Sequence, residues 1–232
     1  LLLRYLKKIF YNSVAELRYI EIQKYAFRKY KIKTVENKHT HLVPEELEQL
    51  ERLSLTDKHM KLQKSLDAFL FCCYAGMRYS DFTNLSKKNI VDINQETWLI
   101  YKSVKTGTEV RLPLYLLFAG KGIVILNKYR NNLEDFFRLR DNSNINKDLI
   151  IIAKLAGLSK KISFHTARHT NATLLIYNGV NITTVQKLLG HKSVKTTQVY
   201  TNIMDMTIVH DLEKIKQAAL GIKKKTDNSF NK

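Results

Sequence analysis

Apolar residues recur at helical spacing over most of the chain, and the places where that rhythm fails mark its joints. Over residues 1 to 30, Leu3, Leu6, Ile9 and Phe10 fall along one stripe of a basic helix or helix pair, and such a stripe needs a partner to cover it. The next stretch, "KYKIKTVENKHTHLVPEEL", loses periodicity and reads as a linker ending in a helix start. Pro44 suits the first helical position, and Glu45 and Glu46 suit the positive end of the helix dipole. From Lys58 to Tyr74 the spacing of Leu62, Leu66, Phe69 and Leu70 predicts a long core helix closed by Gly76. In "TWLIYKSVKTGTEVRLPL" two short β-prone runs flank Lys105, Thr106 and Gly107, which predicts a hairpin with Lys105 at its tip. Helical patterns resume after Pro113, broken near Gly120, Asn131 and Asn142. Residues 163–201 then carry three short helical segments separated by "NGVN" and "LGHKS". The expected fold is mostly α with one small antiparallel β-sheet, an α+β class. Its divisions are a helical stub at 1–33, a linker at 34–43, the main domain at 44–205 and a tail at 206–232. In the tail Met206, Val209, Leu212, Ile215 and Ala219 keep helical spacing before a Lys-rich end.

Composition narrows the class. With 232 residues and 44% hydrophobic content the chain is globular, large enough for one sizeable domain and a smaller piece. Its 39 Lys+Arg against 21 Asp+Glu give a net charge of +18, with the basic residues spread along the whole length. That balance favours a polyanionic partner, most simply nucleic acid, although charge alone leaves a merely basic surface binder open. Cys72 and Cys73 are adjacent within "AFLFCCYAG", which suits buried reduced thiols and a cytosolic home. No apolar run approaches the roughly 18 residues needed to span a bilayer, and no secretory signal is present, so no membrane role is expected.

The segment "FHTARHT" sets His165, Arg168 and His169 within five positions, and on a helix His165 shares a face with both of the others. Histidines at i and i+4 suggest zinc. The zinc-protease pattern, however, needs Glu after the first His, where this chain has Thr166, and Arg168 would repel a metal between them. An anion fits better, because the guanidinium fork matches phosphate oxygens. Further along or upstream, "AGMRYSDFTNL" supplies Arg78 and Asp81, "KTGTEVRLPL" supplies Lys105, and "LLGHKSVKTTQVYTNI" supplies His191 and, nine residues later, Tyr200.

Taken in order, Gly76, Arg78, Asp81, Leu85, Lys105, His165, Arg168, Leu189, Gly190, His191 and Tyr200 fill the motif of the tyrosine recombinases, or phage integrase family, which the chain resembles from about residue 40 to 205. One departure is Asp81 where Glu is more usual. The resemblance implies a DNA strand transferase that works without metal, cofactor or ATP. Tyr200 would attack a phosphate of double-stranded DNA to give a 3′-phosphotyrosine. Arg78 and Arg168 would grip the non-bridging oxygens and His191 would donate a further hydrogen bond. His165 would accept the phenol proton, and Lys105 would protonate the leaving 5′-oxygen. Asp81 would orient Arg78 or His165, and His169 would brace the helix or the site. The need for such help is physical: a phenol with a pKa near 10 is about a thousandfold short of full ionisation at neutral pH, whereas an imidazole titrates close to it.

The resemblance further implies a homotetramer on two synapsed sites, a Holliday-junction intermediate, accessory DNA-bending proteins in some systems, and action on a mobile element in the bacterial nucleoid. It identifies the stub as the end of a core-binding, SAM-like helical domain, and it gives the tail a docking role on a neighbour, with packing in cis as the alternative. Each residue taken singly has an ordinary explanation: Tyr200 as a packing residue, Arg78 as an ion-pair partner of Asp81, Lys105 as a solvated turn residue, His191 as a helix cap, His165 as a core histidine. Those explanations do not account for their joint order and spacing. Two other functions share the motif or fold: a type IB topoisomerase that relaxes supercoils as a monomer, and a DNA-binding regulator without chemistry.

Overall fold

The run from Leu66 to Ala75 is too continuously apolar to leave a solvent face, and the helix it forms is buried on all sides. In the computed structural model, which describes residues 2–15 and 40–200, this helix is α3 (Gln63–Ala75), and every residue from Ser65 to Ala75 is buried. Around it lie α2 (Pro44–Glu51), α5 (Lys121–Lys128), α6 (Leu133–Phe137), α7 (Asn142–Leu155) and α8 (Phe164–Tyr177). The first turns expected of α3 are instead a separate 3-10 segment, Asp57–Leu62. The reason lies in the sequence: Lys58, Met60 and Lys61 have no core face to bury, Met60 being 51% exposed, and the apolar stripe begins only at Leu62.

Buried polar groups on α3 and α7 find partners, as burial without one is costly. Asp67 accepts from Lys128 Nζ at 3.0 Å and Tyr129 Oη at 2.8 Å. Ser65 Oγ donates to Asp148 Oδ2 at 2.6 Å, and Arg140 pairs with the same carboxylate. Phe82 ends α4 (Tyr79–Phe82), and its ring meets those of Phe71, Phe136, Phe137 and Phe164 at centroid distances of 5.3–6.1 Å. That cluster fixes the short segment carrying Arg78 and Asp81 against the core.

The sheet has three antiparallel strands in the order β1 (Ile90–Ile93), β2 (Glu96–Lys102), β3 (Glu109–Pro113). Leu99 pairs with Ile90 on one side and Leu112 on the other, and Leu99 and Leu112 face the core fully buried. The β2–β3 hairpin matches expectation, with Lys105 in its loop; β1 does not follow from the pattern considered above. Asn94 (φ 54°) and Gln95 (φ 66°) turn β1 into β2 with two successive left-handed residues. That is the geometry of a primed hairpin turn, usually flagged by Gly at the second place, and Gln95 conceals it.

The last described elements are α9 (Ile182–Leu189) and α10 (Lys195–Gln198), so the three helical segments expected over 163–201 are present. The chain divides into two compact units, Leu1–Lys38 and His39–Lys232. In the first, α1 (Leu2–Ala15) leaves Leu2, Tyr5 and Ile9 exposed along one face, at 74%, 60% and 60%. The apolar positions expected in the tail, from Met206 to Ala219, lie outside the described residues. Among the described residues no helix is long and apolar enough to cross a membrane.

Two helices end on left-handed glycines, Gly76 after α3 (φ 66°) and Gly190 after α9 (φ 61°). Both also sit where a side chain has no room. A Cβ at 76 would stand 2.6 Å from Asn171 Oδ1, and one at 190 would stand 2.6 Å from Val110 Cγ2. Gly76→Ala therefore combines a left-handed penalty of about 1–2 kcal/mol with overpacking of about 1–3 kcal/mol. We expect it to lower unfolding free energy by roughly 2–5 kcal/mol in urea titration.

Candidate active site

The site is assembled where α3 and α9 end beneath α8. Arg168, on the buried face of α8 and only 1% exposed, extends its guanidinium between the two helix ends. Its Nη1 donates to Gly76 O at 2.7 Å and its Nη2 to Leu189 O at 2.6 Å. A cation here meets the negative ends of two helix dipoles. One helical turn further on the same face, Asn171 Nδ2 donates to the carbonyls of Cys73 and Tyr74, both at 2.9 Å. Burial, and then the nearby Arg78 charge, draw the Arg168 pKa down to about 10, which leaves it cationic at neutral pH.

A second polar group holds the hairpin. Arg78 Nη1 donates to Asp81 Oδ2 at 3.3 Å and to Ser103 Oγ at 3.1 Å. The buried Asp81 carboxylate also accepts from Ser103 Oγ at 3.3 Å and from the backbone N–H of Val104 at 2.8 Å. On the far side of Lys105, Thr106 Oγ1 donates to Gly190 O at 3.1 Å. The loop that carries Lys105 is thus fastened at one end beside Arg78 and at the other beside His191. Lys105 itself is exposed, as is His165; Arg78 and His165 line an open cavity of about 310 Å³ together with Tyr79, Ser80 and Asn142.

His191 follows the glycine turn and is 8% exposed, with Nδ1 2.9 Å from Thr197 Oγ1. Burial, and then the charges of Arg168, Arg78, His165 and Lys105, push its pKa down to about 3, so its imidazole is neutral. In the tautomer in which Thr197 Oγ1 donates to Nδ1, the His191 proton sits on Nε2, free to meet an acceptor. Tyr200, 4% exposed, also lies within the site: its hydroxyl is 3.0 Å from His169 Nδ1. The rings of His165, His169 and Tyr200 form a row, with centroids 4.5 Å and then 5.5 Å apart. Burial raises the Tyr200 pKa, and Arg168 and Arg78 pull against that rise.

All the residues singled out in the sequence therefore converge. Arg168, His191, Tyr200, Asp81 and His169 form a buried floor, and Arg78, His165 and Lys105 stand nearer the mouth. Ser103, Thr106, Asn171 and Thr197 were not singled out. Asn171 had a local signal, since it lies three residues beyond Arg168 on one helix face.

Residues 40–206 match the model of the phage integrase family. The chain belongs to the phage integrase family of tyrosine recombinases. A tyrosine recombinase from Pseudothermotoga lettingae is 30% identical over 181 residues, covering 76% of this chain and 60% of that protein. Tyrosine recombinase XerD from Bifidobacterium longum is 50% identical over 171 residues, covering 66% of this chain and 54% of that one. The chain thus spans about half to three-fifths of the length of these relatives. Among solved structures, XerA recombinase superposes with a TM-score of 0.60 at 23% identity, over 89% of this chain and 81% of that one. A λ integrase tetramer bound to a Holliday junction gives 0.63 at 20%, over 84% and 56%. These likenesses establish the tyrosine recombinase catalytic-domain fold.

The depressed pKa of His191 has a consequence for stability. The unfolded chain takes up that proton near pH 6.5 and the folded chain only near pH 3, so the folded state loses ground as pH falls through this window. In NMR titrations the His191 imidazole should stay neutral from pH 8 to about pH 5. Between pH 7 and pH 4, urea stability should fall more in the wild type than in His191→Gln.

Proposed function

We propose that this chain is the catalytic part of a site-specific DNA recombinase that cuts and rejoins strands through a covalent 3′-phosphotyrosine at Tyr200. The observation that carries the proposal is the convergence of Arg78, Arg168, Lys105, His165 and His191 upon one site that also holds the Tyr200 side chain. A guanidinium has five N–H donors, and Arg168 spends two on protein carbonyls, so others can meet phosphate oxygens. Arg78 and Arg168 bind the non-bridging oxygens, and neutral His191 donates from Nε2 to the charge that builds on the pentacoordinate phosphate.

The step balances as a transesterification. The Tyr200 oxygen forms a bond to phosphorus, the bond to the 5′-oxygen breaks, the phenol proton passes to His165, and Lys105 protonates the leaving oxygen. Attack by the partner strand's 5′-hydroxyl reverses the sequence, and the bond energy is kept in the phosphotyrosine. Asp81 acts through others: its hydrogen bonds to Arg78 and Val104 N–H set the arginine and the Lys105 loop relative to each other.

Recombination of two duplexes calls for four such active sites, and the λ integrase relative is a tetramer on a Holliday junction. We assign the same assembly to this protein, with integration or excision of a mobile element in the bacterial nucleoid as its task and DNA-bending proteins as occasional helpers. Residues 1–33 belong on this view to the domain that clamps the opposite DNA face, a role for which the exposed apolar face of α1 offers a packing surface.

Covalent capture tests the proposal. On a nicked suicide duplex carrying the junction sequences that flank its gene, the full-length protein should yield a protease-sensitive adduct on denaturing gels, and Tyr200→Phe should yield none. Arg78→Ala should slow adduct formation by about 100- to 1000-fold, the usual effect of losing one such donor. Specific DNA binding with no adduct from the wild-type protein would sink the recombinase reading in favour of a DNA-binding regulator. Relaxation of plasmids lacking the site would favour a topoisomerase.

A further inference from the structure

The proposed reaction leaves one contact unused: the hydrogen bond between the Tyr200 hydroxyl and His169. His169 is 7% exposed and Tyr200 4%, so both groups have given up most of their water, and the hydrogen bond between them offsets part of that loss. The tyrosine lies just beyond α10, a helix of only four residues, tied back through Tyr200 N to Thr197 O at 3.1 Å. So short an element defines the direction of a phenol poorly by itself. The neighbouring Val199 is 42% exposed, whereas the Tyr200 ring is packed in the core and its hydroxyl meets His169, so ring packing and this hydrogen bond together set the position of the phenol.

We infer that His169 is a positioning residue for the nucleophile: its Nδ1 accepts the Tyr200 hydroxyl and sets the phenol oxygen beside Arg168 and in the ring row that ends at His165. The proposal rests on Tyr200 being the nucleophile. Three observations support it. The Tyr200 hydroxyl and His169 Nδ1 are 3.0 Å apart, a hydrogen-bond distance that fixes where the phenol oxygen lies. His169 follows Arg168 on α8, a helix whose register is fixed by the Arg168 and Asn171 contacts to α3 and α9 carbonyls, so the acceptor stands on a rigid element. The His165 ring packs edge-on against His169 at 4.5 Å, which sets the residue proposed to take the phenol proton next to the one that orients it. Acceptance at Nδ1 requires the His169 proton on Nε2; the phenol hydrogen then points at His169 at rest and turns to His165, whose ring packs against His169, as the bond to phosphorus forms.

The test separates orientation from mere packing. Asn presents its amide oxygen close to where Nδ1 stands, whereas Leu fills similar space with no acceptor. In single-turnover capture at saturating nicked duplex, His169→Leu should slow adduct formation by about 10- to 100-fold, the scale of a small misplacement of a reacting group. DNA affinity should stay within about twofold, because the phosphate ligands are untouched, and His169→Asn should recover to within about fivefold of wild type. A wild-type rate for His169→Leu, or equal slowing by Leu and Asn, would overturn the assignment. A second readout needs no chemistry: ¹⁹F NMR of the DNA-free protein carrying 3-fluorotyrosine at position 200 only. The resonance should move towards that of an exposed tyrosine in His169→Leu and stay in place in His169→Asn; a resonance indifferent to His169→Leu refutes the inference. Absence of adduct from the wild type, with the expected ¹⁹F behaviour intact, would count against the recombinase reading and leave the contact established.

Discussion

The site depends on a buried cation, Arg168, whose hydrogen bonds among the described residues run to backbone carbonyls and not to a carboxylate. Taking a guanidinium out of water costs several kcal/mol, and Arg168 is 1% exposed. Its direct compensation comes from Gly76 O and Leu189 O, two charge-assisted hydrogen bonds of about 1.5–3 kcal/mol each, aided by the negative ends of two helices. Such carbonyls are offered only where helices stop, which is why both α3 and α9 must end here and why each ends on a left-handed glycine. The functional residues next along the chain, Arg78 and His191, then emerge from those ends already pointed at the same place. A single interaction thus couples three helices and sets the geometry from which the candidate site is built.

Electrostatics gives the assembly its direction. Arg78 and Arg168 stand close enough for the Arg78 charge to help lower the Arg168 pKa, and burial, reinforced by the charges of Arg168, Arg78, His165 and Lys105, holds His191 neutral. Asp81 offsets part of this positive charge, but its carboxylate is engaged by Arg78, Ser103 and the Val104 amide. The remaining excess of positive charge is the electrostatic basis of the phosphate-binding role proposed for this site. Neutral His191 fits this scheme as a hydrogen-bond donor placed among cations that it does not further repel.

Much of the fold was legible because its signals are local. The α3 stripe, Pro44 at the start of α2, the glycine stops and the β2–β3 hairpin are periodicities and caps spanning a few residues. The failures are equally physical. β1 was hidden because Gln95 takes a conformation that sequence habit assigns to Gly, and the 3-10 segment before α3 replaced helix where the polar face had nothing to pack against. Ser103 and Thr106 could not be found by spacing, since their partners lie 22 and 84 residues away, and for Asn171 the spacing from Arg168 marks the face but not its partner, which lies 98 residues away.

By itself the sequence determined the order, type and spacing of the reactive groups, along with the helix ends on which they ride, because chemistry and capping are written in neighbouring residues. Only the tertiary structure decided what those groups touch. That Arg168 binds backbone carbonyls, that Thr106 anchors the Lys105 loop to Gly190 O, and that Tyr200 rests on His169 all depend on segments distant in sequence being packed within 3.1 Å. A hydrogen bond across such separations leaves no periodic trace in the chain, so it becomes visible only once the core has brought its two ends together.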